Sequence, residues 1–182
     1  MIQGGPPTTI RRAELADAPV LRALTMRTFG ETFGHLYPPE DLAEFFRTVY
    51  AAEAFERQLT DAAQATWLLE RDGQAIGHLL AGPCGLPHRD VTPADGEIKR
   101  LYILKEAHNG GWGGRFMRTA LDWLERDGPR TLWIGVWSEN FSAQRFYGRH
   151  GFDMAGEYLF PVGQTRDREF ILRRGAVRDG RA

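Results

Sequence analysis

The sequence predicts an α/β domain, and three stretches carry that prediction. From Glu97 to Leu104, β-formers alternate well enough for a strand; the glycine cluster His108-Asn109-Gly110-Gly111-Trp112-Gly113-Gly114 follows. Phe116, Met117, Ala120, Leu121 and Leu124 then recur at the spacing of an amphipathic helix. Elsewhere, two β runs, Ala65 to Arg71 and Gln74 to Gly82, flank Asp72-Gly73, a strong hairpin signal. With 182 residues, 42% of them hydrophobic and 12% aromatic, the chain can bury one core of ordinary size.

In chain order, residues 1–7 are expected to form a loose arm and Thr8 to Arg12 a first strand. Asp17 is placed to cap a helix that tolerates Pro19 in its first turn and buries Val20, Leu21, Leu24 and Phe29. The aromatic stretch Thr28 to Tyr37 is broken by glycine, and Pro38-Pro39 ends it. A second helix starts between Pro39 and Asp41 and carries Leu42, Phe45, Phe46 and Val49; Glu53 to Leu59 form a third. Gly77 inside the second hairpin strand marks a bulge or a close contact. Thr131 to Trp137 form a strand and Asn140 to His150 a helix. Phe152 to Phe160 and Asp167 to Arg173 pair as a final hairpin, turning at Pro161-Val162-Gly163-Gln164. Residues 175–182 read as a polar tail.

Composition excludes several classes. A net charge of −1 argues against nucleic acid as the main partner, because phosphate binding needs a basic surface. One cysteine excludes an internal disulfide. Cys84, with no readable His or Asn partner, reads as idle rather than catalytic. His78 and His88 lack ligand spacing, so no metal is expected. The N-terminal MIQGGPPTT lacks the basic and apolar regions of a signal peptide, and no apolar run approaches the ~18 residues of a membrane span. A cytoplasmic location without membrane contact is expected.

Strand, glycine turn and helix together form an arrangement that aims main-chain N–H groups at an anion. The first helical N–H groups lack internal acceptors, the macrodipole adds positive charge there, and glycine lets a ligand approach the backbone. The Walker A pattern is excluded, since neither Lys-Ser nor Lys-Thr occurs. The dinucleotide fingerprint fails because Phe116 occupies its third glycine position. A glycine cluster before a helix also occurs as a plain tight turn.

Leu101-Tyr102-Ile103-Leu104-Lys105-Glu106-Ala107-His108-Asn109-Gly110-Gly111-Trp112-Gly113 resembles the acetyl-CoA signature of the GNAT superfamily of N-acetyltransferases, a strand followed by Q/R-x-x-G-x-G/A. His108 stands at the Gln/Arg position. A second block, Trp133 to Phe152, resembles the family's N-x-x-A-x-x-F-Y-x-x-x-G-F through Asn140, Ala143, Phe146, Tyr147, Gly151 and Phe152. The resemblance covers residues 8–174. It implies a single-domain GNAT fold: a mixed, mostly antiparallel, splayed sheet of about seven strands with helices on both faces. The front stretch TFGETFGHLYPPEDL and the C-terminal third are similar to the PaiA-type polyamine N-acetyltransferases of bacteria.

Several roles follow from that resemblance. The amides of Leu101, Tyr102 and Ile103 would meet the pantetheine of acetyl-CoA where the central strands diverge, with Asn140 beside it. His108, Asn109, Gly110, Gly111, Gly113 and Gly114 would cradle the diphosphate. Trp112 either packs beneath the loop or covers the cosubstrate. Arg115 and Arg149 are phosphate candidates, with plain surface charge as the alternative. Tyr147 would face the sulfur as general acid, since a phenol is protonated at neutral pH. An alkylamine is almost wholly protonated at pH 7, so a base has much to offer. Glu97 is the candidate, directly or through water; its plainer reading is a strand carboxylate paired with Lys99 or Arg100. Glu31 and Tyr37, beside the kink, are candidates for binding a cationic amine, whereas Glu40, Asp41 and Glu44 read mainly as a helix start.

The expected function is direct acetyl transfer from acetyl-CoA to a small primary amine, a polyamine being the narrower reading. Alternatives are another acceptor (an amino acid, an antibiotic amine or a protein N-terminus) or a CoA-binding sensor without turnover. The resemblance also allows a homodimer.

Overall fold

In the computed structural model, residues 7–176 are described. All but Pro7 of the expected arm, and all but 175–176 of the expected tail, therefore lie outside the described residues. Among the described residues, seven strands form one sheet in the order β1-β2-β3-β4-β5-β7-β6. They are β1 Thr8–Arg12, β2 Ala65–Arg71, β3 Gln74–Pro83, β4 Gly96–Ile103, β5 Leu132–Trp137, β6 Asp153–Val162 and β7 Thr165–Arg174. Every adjacent pair is antiparallel except β4 and β5. The helices are α1 Ala18–Phe33, α2 Pro39–Thr48, α3 Ala52–Thr60, α4 Trp112–Leu124 and α5 Phe141–Gly148.

One core runs through both helix layers. On one face α1 and α2 bring Phe29, Phe33, Phe45 and Tyr50 together, with Phe29 and Phe45 centroids 5.0 Å apart. Phe33 meets Trp137 of β5 edge-on at 5.9 Å, and Phe45 meets Phe160 of β6 at 6.0 Å. Of the expected apolar stripe of α4, Phe116, Met117, Ala120 and Leu124 are buried, and Leu121 is partly buried.

Two irregularities aim side chains. Gly77 pairs with Leu69 while Ala75 pairs with Glu70, so Ile76 is an extra residue beside Gly77. Gly77 is also a close contact, because a Cβ there would lie 3.0 Å from the Tyr102 carbonyl oxygen. In β4, Arg100 pairs with Leu80 and Ile98 with Ala81, leaving Lys99 as an extra residue. An extra residue flips the alternation beyond it.

The structure corrects several local expectations. Val20 is 49% exposed rather than buried, and Val49, expected on the second helix, is the exposed C-cap of α2, which ends at Thr48. Gly30 does not interrupt α1, which continues to Phe33; the break falls at Gly34. Packing of Phe29 and Phe33 on either side of Gly30 outweighs a propensity cost of about 1 kcal/mol. Asp17 sits at the N-cap of α1 but does not cap it with its side chain. Its carboxylate accepts from both terminal Arg11 nitrogens (2.7 and 2.8 Å) and from the Glu14 N–H. Pro161 and Val162 belong to β6, so the last turn is Gly163-Gln164 alone. A Cβ on Gly163 would collide with Asp41, whose buried carboxylate accepts from Thr165 Oγ1 at 3.0 Å. This contact pins the final hairpin to α2.

Candidate active site

The site lies where the sheet splits. β4 and β5 pair at Gly96↔Leu132 and Glu97↔Trp133 alone. Beyond that rung Leu101, Tyr102 and Ile103 stay paired with Leu79, His78 and Gly77 of β3, but their other edge has left β5. Main-chain groups need partners, so this edge can accept an amide-bearing chain laid along it. A cavity of about 1220 Å³ runs through the split. Its walls include Leu101, Tyr102 and Ile103, the loop residues His108, Asn109, Gly111, Trp112 and Gly113, and Asn140, Phe146 and Tyr147 from the other side.

The glycine loop is built for its geometry. Gly111, at the N-cap of α4, has φ +74°, a region that costs an L-residue roughly 1–2 kcal/mol. Asn109 also has positive φ, as Asn tolerates better than most residues. His108 Nε2 lies 2.8 Å from the Ile103 carbonyl oxygen. That oxygen can only accept, so the ring nitrogen donates and ties the loop to the end of β4. Trp112 packs against the loop: a Cβ on Gly110 would lie 2.7 Å from its ring, and the Arg115 guanidinium sits 4.5 Å from its centroid. The first N–H groups of α4 at Trp112, Gly113 and Gly114 have no acceptor one turn back. They form an electropositive mouth suited to a phosphate. Burial, and then the charges of Arg149, Arg118 and Arg174, hold the His150 imidazole below its usual range. These three guanidinium groups place positive charge beside α5. Arg149 and Arg145 border the cavity, and Arg115 and Arg149 are exposed.

Asn140 caps α5 through its side chain, which accepts from the Ala143 N–H at 3.1 Å. One turn of cap thereby sets the direction of Tyr147. The Tyr147 side chain is buried against Phe146 and Phe152 and borders the cavity. Burial, with the charge of Glu169 adding, raises its phenol well above the ordinary tyrosine range. At neutral pH it is a loaded proton donor.

The remaining wall is acidic and aromatic. Glu97 is buried and accepts from the Gly85 N–H at 2.8 Å and Lys99 Nζ at 2.9 Å, both on Oε2. Tyr37 is buried and donates to the Asp167 carboxylate; burial and that bond raise its phenol. Glu31 borders the cavity, ion-pairs with Arg27 at 3.0 Å and accepts from the Lys105 N–H at 3.4 Å. Three further residues emerge from the final hairpin. Tyr158 of β6 and Glu169 of β7 stand opposite each other and are joined by a 2.7 Å hydrogen bond, and Asp167 follows on the same face. No short-range motif marks them.

Two other polar groups carry less. The buried His78 imidazole is pushed down to about 3 by burial and lies 3.2 Å from Thr28 Oγ1, so it is neutral. Burial pushes the half-buried Cys84 thiol up to about 11, which keeps it protonated. Among the described residues no cluster of three or more His, Cys, Asp or Glu could hold a metal ion, and no helix is long and apolar enough to cross a membrane.

A split sheet with a glycine-gated helix N-terminus at its mouth and a protonated phenol on its wall suits a phosphate-bearing ligand laid along the open strand edge, with a proton donor beside it. The sequence matches the acetyltransferase (GNAT) family over residues 22–152, and the chain belongs to that family. It is an acetyl-CoA-dependent N-acetyltransferase. An uncharacterized N-acetyltransferase of Mycobacterium tuberculosis is 31% identical over 169 residues, covering 90% of this chain and 100% of the relative. Another, from Lactobacillus delbrueckii subsp. lactis, is 28% identical over 161 residues, covering 88% and 93%. The fold is similar to that of the PaiA N-acetyltransferase from Thermoplasma acidophilum in complex with coenzyme A, with TM-score 0.73, 17% identity and coverage of 93% and 99%. It is also similar to the ribosomal-protein-alanine N-acetyltransferase from Brucella melitensis, with TM-score 0.62, 19% identity and coverage of 92% and 99%.

Proposed function

We propose that the protein transfers the acetyl group of acetyl-CoA to a primary amine of a small, cationic molecule, with polyamines the favoured acceptors. The observation that carries this reading is the continuity of one cavity, from the glycine loop through the split strands and past Tyr147 to an acidic, aromatic wall. The acceptor half presents Glu31, Tyr37, Glu97, Tyr158 and Glu169, a lining that favours positive charge. The PaiA likeness is in keeping with it.

Each residue then has work at a stated atom. The N–H groups at the start of α4 receive the diphosphate, and Arg115 and Arg149 offer charge to phosphate. Main-chain groups of Leu101, Tyr102 and Ile103 extend the sheet onto the pantetheine amides, beside Asn140. The amine attacks directly, both substrates being bound together. Tyr147 hands its proton to the departing sulfur. The ammonium must first lose a proton, and two cavity carboxylates can take it: Glu97, directly or through a water, and Glu169.

A panel of amines tested for thiol release from acetyl-CoA examines the reading. Turnover is expected with alkyl polyamines and weaker turnover with amino acids. Silence with every polyamine alongside turnover of another amine would overturn the narrower acceptor. Calorimetric silence toward both acetyl-CoA and CoA would overturn the whole.

A further inference from the structure

The final hairpin holds a carboxylate that no ion pair explains. Glu169 lies opposite Tyr158 on β6 and Trp137 on β5, and it borders the cavity. Space for it comes from Gly135 of β5: a Cβ there would lie 3.1 Å from both Glu169 Oε2 and the Tyr158 hydroxyl. Tyr158 donates to Oε2 at 2.7 Å, and no other hydrogen bond among the described residues engages the carboxylate. The groups whose charge it meets are phenols and another acid: Tyr158, Tyr37, Tyr50, Tyr102 and Tyr147 around it, and Asp167 two residues along. Arg100, whose charge acts on Tyr50 and Tyr102, is turned onto Tyr50, 5.1 Å from its centroid, and onto Gln58 at 3.0 Å. Glu169 is partly shielded from solvent, and a desolvated carboxylate with no cation paired to it among the described residues is costly.

The comparison with Glu97 decides between the two. Glu97 already holds Lys99 at 2.9 Å and, through the Gly85 N–H, the start of the loop between β3 and β4. Its charge acts on Cys84 and Tyr158, whereas Glu169 is the carboxylate whose charge acts on Tyr147. The amine reacts beside the sulfur that Tyr147 serves, so its proton acceptor belongs near that phenol.

Resting on the acetyl-transfer reading above, we infer that Glu169 is the catalytic base, receiving the acceptor's ammonium as its missing cation and taking its proton before attack. The nitrogen lone pair then forms the C–N bond to the acetyl carbon. The C–S bond breaks, its electron pair leaves on sulfur, and Tyr147 supplies that sulfur's proton. The second nitrogen proton restores the Tyr147 phenol. Glu169 passes the first proton to solvent, so one proton is released per acetyl group transferred. Burial and Asp167 raise the Glu169 carboxyl, against the opposing Tyr158 bond, which brings it nearer the working pH of a base.

The experiment is a pH profile of kcat/KM for the full chain, its Glu169→Gln variant and its Glu97→Gln variant. Each is tested with an alkylamine acceptor and with a weakly basic hydrazide that is neutral at assay pH. Glu169→Gln is expected to lose roughly 10²-fold or more with the alkylamine. It should lose the acid limb of the profile, lose little with the hydrazide, and bind acetyl-CoA unchanged by calorimetry. Glu97→Gln is expected to keep the acid limb. An intact acid limb in Glu169→Gln, or its loss in Glu97→Gln alone, would overturn the assignment while leaving acetyl transfer itself established by thiol release. If Glu169→Gln fails to bind acetyl-CoA, Tyr158→Phe is read instead. Loss of its hydrogen bond should move the acid limb to higher pH, and an unmoved limb would likewise overturn the assignment.

Discussion

Glu97 and Trp133 form the last rung between β4 and β5, and the open strand edge of the site begins where the strands part there. A parallel ladder of two rungs leaves the edge from Leu101 to Ile103 open on the side away from β3. CoA is therefore expected to slow amide hydrogen exchange in two places at once, along Leu101–Ile103 and at the first turn of α4. Exchange measured with and without CoA checks this. Protection confined to α4 would show that the strand edge takes no part.

The loop owes its shape to one imidazole and one glycine. His108→Ala removes the donor to the Ile103 carbonyl, worth about 1 kcal/mol, so affinity for acetyl-CoA is expected to fall about fivefold. His108→Gln, which can still donate, should retain most of it. Calorimetry distinguishes the two, and equal losses would show that a side-chain contact to the cosubstrate, rather than the loop tether, is what matters. Gly111→Ala is expected to cost about 1–2 kcal/mol through its positive φ. For a chain of this size that is a fall in Tm of roughly 2–8 °C, readable by calorimetric unfolding.

How much of this was legible beforehand depended on sequence separation. The glycine cluster and the hairpin at Asp72-Gly73 lie within short segments that local spacing reads, and Asn140 and Tyr147 were singled out by the resemblance of the Trp133 to Phe152 block to a family pattern. Glu169, Tyr158 and Asp167 were not legible. β7 sits between β5 and β6, and the register that turns Glu169 toward the cavity is set by Trp137, 32 positions earlier in the chain. The extra residue at Lys99 shifts which β4 side chains share a face, and nothing in a run of alternating residues announces it. Val20 read as core because periodicity locates a stripe without locating its edges.

Stability should carry an acid-sensitive component at the other end of the sheet. Arg11 bonds Asp17 at 2.7 and 2.8 Å and Glu70 at 2.8 and 3.0 Å. The Arg11 hydrogen bonds, with smaller help from the Glu14 N–H, hold the Asp17 carboxyl below the usual range. A depressed folded-state pKa stabilises above the unfolded value of about 3.9 and ceases to do so as pH falls through the folded value. Asp17→Asn is thus expected to cost about 0.5–1 kcal/mol at pH 7, the lower figure reflecting the solvent around Arg11. The gap from the unmodified chain should close at acid pH, once the pH has fallen through the depressed folded-state value. Urea unfolding at both pH values measures it, and a gap independent of pH would assign the loss to packing.

Tyr147 allows the sharpest separation of binding from chemistry. Its raised pKa means that the neutral, proton-bearing phenol persists beyond the ordinary tyrosine value of about 10. A general acid so placed produces no alkaline limb within the usual assay range, because that limb appears where the acid loses its proton. Tyr147→Phe keeps the ring that packs on Phe146 and Phe152 and deletes the hydroxyl alone. We expect kcat to fall roughly 10²-fold while the dissociation constant for acetyl-CoA stays within about twofold, since the groups proposed to hold the diphosphate and pantetheine lie elsewhere. Replacing CoA by an acyl donor with a more acidic thiol should return part of the lost rate, because a better leaving group needs less protonation. If Tyr147→Phe slows both donors equally, the hydroxyl positions the substrate rather than protonating the sulfur.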